Sequence, residues 1–223
     1  MEMTKSLKDK TLQEQVYENL KLGLLNGEFK PGVSVTIRGL AEELGVSAMP
    51  IREALRRLTT ERALVLTPTG RVRVPCMTRK KLNQLVSARI CLEKQAAIDA
   101  IPYIDDEMIE ALSLLNDEID QCIERNDYQA YLQKHRRFHF TLYQAAPSDV
   151  FMPLIESVWL QVSPFLSLTL SLEHLQSYNT NDRHVEIIQA LGDRDATGLG
   201  FAIEADIRHG IGSLSEKDWP GGG

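Results

Sequence analysis

Several protein classes are excluded by what this sequence lacks. Its three cysteines, Cys76, Cys91 and Cys122, are odd in number and never spaced C-x-x-C. That rules out a cysteine zinc ribbon and predicts reduced thiols with no disulfide framework. Long apolar runs are missing too: "ALVL" and "FLSLTL" fall far short of the ~18–20 residues needed to span a bilayer, so no membrane segment is expected. The N-terminal "MEMTKSLKDK" has charges but no following apolar stretch of a signal peptide, and a cytoplasmic protein is predicted. No H-E-x-x-H, serine elbow or P-loop occurs, which argues against an enzyme. What remains is ordinary globular material: 223 residues, 43% apolar and 25% charged, enough for one or two domains with a real core.

The formal charge of −6 disfavours a nucleic-acid partner until the chain is divided at Pro75. Residues 1–75 hold twelve Lys/Arg against nine Asp/Glu, a net of +3, which leaves −9 for the rest. The asymmetry suits a DNA-contacting module joined to an acidic one, although a solvated helix surface gives the same count.

Local signals organise the positive third. Thr11-Leu12-Gln13-Glu14 is a capping box, and Leu12, Val16, Leu20 and Leu24 form an i, i+4 stripe that ends near Asn26-Gly27. "KPGVSV" reads as a turn. A second short helix carries Ile37, Leu40, Ala41 and Leu44 on one face and stops at Gly45. Ser47 is suited to cap a third helix with Pro50 in its first turn and Ile51, Ala54, Leu55 and Leu58 facing inward. Two short helices around a Gly-containing turn make a helix-turn-helix. "ALVL" and "RVRVP" then flank Thr67-Pro68-Thr69-Gly70, with Arg71 and Arg73 alternating with Val72 and Val74 at the strand period. A hairpin in that position is a wing. Residues 8–75 are therefore expected to form a winged helix-turn-helix, with a linker near Pro75-Cys76-Met77.

Beyond Thr78 only amphipathic helical patterns appear, near 78–100, 105–125, 127–146, 150–172, 179–191 and 195–214. They break at Pro102, Asn126, Pro147, around Ser177 and at Gly192. Pro153 sits in a first turn, and Pro164 is expected to kink its helix. Met108, Leu112, Leu115, Ile119 and Ile123 form a core stripe, and Phe138, Tyr143, Phe151, Trp159 and Phe165 read as core aromatics. The fold class is mainly α: a winged helix, then an all-α bundle over 78–214 of about six or seven helices, then a disordered tail over 215–223.

Two constellations could carry chemistry. Arg52 and Arg56 project from one face of the third helix with Arg57 beside them, suited to phosphate oxygens and guanine acceptors, or simply solubilising the helix. Among the histidines, His135 and His139 lie four apart on one face, with His184 and His209 on later helices. Such a set can share one ion, or be partly buried histidines bonded to backbone or carboxylate. Arg89 and Glu93 are also four apart; Arg89 points into a cavity toward a carboxylate ligand or forms a surface pair with Glu93.

"IRGLAEELGVSAMPIREALRRLTTERALVLTPTGRVRV" resembles the GntR family of bacterial winged-helix transcription regulators. "RICLE", "HRRFHFTLYQAA", "RHVEIIQALGDRDA" and the His209 ending resemble the FCD ligand-binding domain of its FadR subfamily. The resemblance implies a transcription regulator, a repressor, binding double-stranded DNA at a pseudo-palindromic operator as a homodimer. A small-molecule effector, an organic acid, would alter its DNA affinity, and the protein would be cytoplasmic and nucleoid-associated when on DNA. Arg38, Ser47, Arg52 and Gly70 match DNA-contacting positions, and with Met49, Arg56 and Arg71 make up the expected interface. Ala48 and Met49 depart from the basic residue and threonine usual there. The resemblance also implies a divalent metal at His139, His184 and His209, with His135 where the family has an acidic ligand, and Arg89 toward the effector. If His135 coordinates, the all-imidazole shell favours Zn²⁺ or Ni²⁺ over Mn²⁺; if it steps aside, three ligands remain. A metal-independent sensor of an apolar ligand and a metal-dependent enzyme are the alternatives.

Overall fold

The computed structural model describes residues 11–68, 70–169 and 183–212. The expected break around Ser177, the helix segments bordering it, Thr69 of the wing tip, residues 8–10 and the tail lie outside the described residues.

Helix α1 (Leu12–Leu25) starts on the expected capping box, with Thr11 accepting from the Glu14 amide and the Glu14 carboxylate from the Thr11 amide. Val16, Leu20 and Leu24 are buried, whereas Leu12 is exposed, so the stripe begins one turn later than its pattern suggests. Helix α2 (Ile37–Leu44) is capped by Thr36 and closed by Gly45, whose φ of 65° is the left-handed conformation glycine tolerates. Helix α3 (Ala48–Thr60) buries Pro50, Ile51, Ala54, Leu55 and Leu58. Ser47 stands at its N-cap position but makes no capping hydrogen bond, leaving its hydroxyl available.

The wing is a three-stranded antiparallel sheet in the order β1 (Ser34–Val35), β3 (Val72–Arg73), β2 (Val65–Leu66). Ser34 and Val65 both pair with Arg73, and Val35 and Leu66 with Val72. The central strand is therefore the one carrying Arg73, which is half-buried. The first strand corrects the reading of "KPGVSV" as a turn alone. Two residues cannot show a period, and β1 exists because Val74 donates to the Val33 carbonyl and Gly32 to the Val74 carbonyl across the sheet.

The remaining helices are α4 (Arg79–Ala100), α5 (Asp106–Glu124), α6 (Tyr128–Tyr143), α7 (Phe151–Thr169), α8 (Arg183–Gly192) and α9 (Ala196–Gly212). Thr78, Asp105 and Asp127 cap α4, α5 and α6 through their side chains. Asn126, at φ 53°, breaks the chain between α5 and α6, and α7 runs through Pro164. Helix α4 lies centrally against α6, α7 and α9, while α5 packs on α6 and α8. The winged helix docks onto this bundle through α1: Lys21 pairs with Glu156 of α7 at 2.7 Å, and Arg136 of α6 donates to the Asn26 side chain at 3.3 Å. Gly27 (φ 69°) lies close against α7, where an added Cβ would meet the Ser167 Cβ at 2.6 Å.

Candidate nucleic-acid interface and metal centre

Burial of one face of α3 leaves the other to solvent, and Met49, Arg52 and Arg56 lie on it. The arginines of this region are not equivalent. Arg56 pairs with Glu53 at 3.0 Å and Arg38 with Glu42 at 2.8 Å, both pairs exposed. Arg57 turns back to α1, pairing with Glu61 at 3.1 Å and stacking its guanidinium 3.6 Å from the Tyr17 ring centre. It is a joint residue and not a groove residue. Arg52 makes no ion pair among the described residues. At the wing, Gly70 holds φ 75° with open space around it, and Arg71 beside it is exposed.

In the helical domain, donor atoms of His135, His139, His184 and Asp206 all lie within 4.8 Å of one another. Three helices supply them: α6 gives His135 and His139, α8 gives His184 and α9 gives Asp206. His139 Nε2 is 3.4 Å from His135 Nε2 and 3.2 Å from the Asp206 carboxylate, and His184 Nε2 is 3.8 Å from that carboxylate. His209, expected as a ligand, is not in this group. It lies three residues beyond Asp206 on the same helix, ~4.5 Å further along the axis, and Asp206 takes its place. His135 lies in the group, and the acidic member of the group is Asp206 of α9. The cluster is therefore three imidazoles and one carboxylate, in place of the expected four imidazoles.

Neighbouring groups orient these rings. Tyr143 donates its hydroxyl to Glu93 at 2.9 Å and lies 3.2 Å from His139 Nδ1. Since the phenol has a single proton and spends it on Glu93, the proton in the second contact sits on Nδ1, and His139 turns Nε2 toward Asp206. His184 repeats the arrangement, its Nδ1 donating to Asn116 Oδ1 of α5 at 2.9 Å. Outer contacts of this kind fix tautomer and ring direction at metal sites.

The electrostatics agree. Burial first, then His139 and His184, hold His135 well below its ordinary value, so its ring is neutral. Burial pushes the Asp206 carboxyl up, but the surrounding histidines, His139 foremost, outweigh it and hold it below the ordinary carboxylate range, so it is ionised. Nitrogen donors and one negative oxygen gathered around one point fit a divalent cation.

Arg89 and Glu93 resolve differently from either expectation. They do pair, at 2.6 and 3.2 Å, but inside the protein, with side chains 3% and 0% exposed. Trp159 adds a third donor to the same carboxylate at 2.9 Å and places its ring 4.4 Å from the Arg89 guanidinium. Burial opposes the charge on Arg89, and the Glu93 carboxylate overcomes that, keeping the guanidinium protonated. Sequence reasoning missed Asp206 and Asn116 as site residues. Both were legible as polar residues on apolar stripes, Asp206 among Leu199, Ala202, Ile203 and Ile207, and Asn116 among Leu112, Leu115 and Ile119.

Comparison with known proteins agrees with this architecture. The family model for bacterial regulatory proteins of the gntR family matches residues 12–74, and that for the FCD domain matches residues 84–209. The HTH-type transcriptional regulator McbR of Escherichia coli is 26% identical over 221 residues, covering 96% of this chain and 97% of the relative. The gluconate operon transcriptional repressor of Bacillus subtilis is 25% identical, covering 81% and 76%. The solved structure of E. coli McbR/YncC superimposes with a TM-score of 0.80 at 26% identity, over 91% of this chain and 96% of that one. A GntR regulator from Rhodococcus sp. RHA1, 21% identical, shares the fold with a TM-score of 0.73 over 91% and 99%. These relatives are regulators and not enzymes, and among the described residues no helix is long and apolar enough to cross a membrane. With a winged helix at its N-terminal side and an FCD domain behind it, the chain belongs to the gntR family of bacterial transcription regulators.

Proposed function

We propose that this regulator is a metal-dependent repressor, acting in the cytoplasm at the nucleoid, whose operator affinity is set by a small organic acid bound in the helical domain. The observation that carries the reading is the convergence of His135, His139, His184 and Asp206 from three helices, with His139 and His184 oriented by Tyr143 and Asn116. These four residues would hold one divalent ion, Zn²⁺ or Ni²⁺ by the preference of imidazole nitrogen. Bound there, the ion would supply a positive charge for an anionic effector. Arg89, with its charge already answered by Glu93, positions Glu93 and Trp159 behind that site.

On the DNA side, Arg38, Ser47, Met49, Arg52, Arg56, Gly70 and Arg71 form the interface. One recognition helix reads too few base pairs for specificity, so a homodimer on a pseudo-palindromic site is the functional unit.

Elemental analysis of purified protein tests the metal, with about one ion per chain expected. A chelator should lower the melting temperature, because only the folded state assembles the site. Metal-free protein whose melting curve ignores chelator would refute the metal. Operator binding that no organic acid alters, in the presence of the metal, would refute the effector class.

A further inference from the structure

The outward face of α3 begins with an apolar side chain that the fold does not use. Met49 is 62% exposed, in the first turn of the helix whose opposite face is buried. At ~100° per residue Met49 lies roughly opposite the core, within ~20° of Arg56 and ~60° of Arg52. Ala48 beside it is also exposed. The tip of the helix that enters a major groove therefore offers methyl and thioether surface, where a donor would make a polar base contact. The other side chains on this face are Arg52, Glu53 and Arg56, so no contiguous apolar patch suits a protein partner. In the major groove the apolar feature is the 5-methyl group of thymine. A flexible, polarizable methionine can pack on it without demanding one angle of approach.

Arg52 supplies a second fixed point. It is exposed and makes no ion pair among the described residues, while Arg56 and Arg38 share their charge with Glu53 and Glu42. An unshared guanidinium is suited to the O6 and N7 acceptors of guanine. Three residues of helix advance ~4.5 Å and one base pair ~3.4 Å, so positions 49 and 52 address bases one or two steps apart.

We propose that Met49 is a specificity-determining residue that reads a thymine methyl in each half-site, one or two base pairs from the guanine read by Arg52. This rests on the DNA-binding reading above and adds to it a named base and a named atom.

The test starts from duplexes selected out of a random pool by the full-length wild-type protein. Each thymine of the selected half-site is then replaced singly by uracil, which removes the methyl and keeps the pairing and the O4 acceptor. At one thymine, within two base pairs of the guanine whose preference Arg52→Ala abolishes, uracil should weaken wild-type binding about fourfold, the worth of one buried methyl. Met49→Ala should bind the thymine and uracil duplexes equally while keeping the guanine preference. Met49 packs in no core, so its variant should melt like the wild type. Indifference of the wild type to every uracil would overturn the inference and leave specific DNA binding standing. Uracil sensitivity that persists in Met49→Ala would overturn it by assigning the methyl to another side chain. A pool that yields no enriched sequence would overturn both this inference and the operator reading beneath it.

Discussion

Replacing Glu93 by alanine removes the carboxylate that Arg89 pairs with in the interior of the helical domain. Arg89 is 3% exposed and holds that carboxylate at 2.6 Å, and Tyr143 and Trp159 each donate to it at 2.9 Å. Truncation leaves a buried cation unanswered, which costs about 3–5 kcal/mol when one partner of a buried pair is lost. The two abandoned donors add about 1 kcal/mol each at the low end of the range for unsatisfied buried groups. The total, about 5–7 kcal/mol, corresponds to a fall of roughly 10–28 °C in melting temperature for a chain of this size. Differential scanning calorimetry reads it directly. Glu93→Gln keeps an acceptor oxygen and the side-chain volume, and should lose about half as much. Removing both charges together, as Arg89→Met with Glu93→Met, should recover at least half of the Glu93→Ala loss, because no unpaired charge remains inside. A fall under ~3 °C for Glu93→Ala would refute the account, and a double variant as unstable as the single one would refute its attribution to charge burial.

Three further outcomes follow from the same geometry. Asp206→Ala should abolish metal retention after gel filtration while His209→Ala keeps it; the reverse pattern would restore His209 as the ligand. Gly27→Ala combines a left-handed backbone with a Cβ placed 2.6 Å from that of Ser167, and should cost about 1–3 kcal/mol in urea unfolding, with an unchanged midpoint counting against the tight joint. Burial, with the hydrogen bond to Glu61, pushes the Tyr17 phenol well above its ordinary value. Its contribution is therefore fully present below about pH 10, where the unfolded phenol is also neutral, and is lost as pH rises beyond that. Urea unfolding of wild type and Tyr17→Phe across pH 8–11 should show the wild type losing more stability at the alkaline end, and parallel curves would contradict the coupling.

Much of the fold was legible because helices announce themselves locally. The capping box at Thr11 and Glu14, the stop at Gly45, and the inward stripe Ile51, Ala54, Leu55 and Leu58 are each written within a few residues, and each appears as read. Strand β1 was not legible, since a two-residue strand has no periodicity and exists only through partners some forty residues away. The pairing of Arg89 with Glu93 was visible in their spacing, but its burial was not. An i, i+4 ion pair looks the same on a surface as inside until Trp159 and Tyr143 close over it.

The His/Asp cluster divides along the same line. His135 and His139 must share a helical face wherever α6 sits, since four residues make about one turn, and the sequence alone determined that half of the site. Which residue of α9 completes it depends on how that helix is rotated and advanced against α6 and α8. A shift of three residues exchanges His209 for Asp206, an imidazole for a carboxylate, and no local pattern reports such a rotation. Packing sets it: Leu199, Ile203 and Ile207 are buried almost completely, and the carboxylate beside Ile207 is carried with them to the histidines. Periodicity thus settled the shared face of His135 and His139, and the tertiary fold settled which residue of α9 joins them.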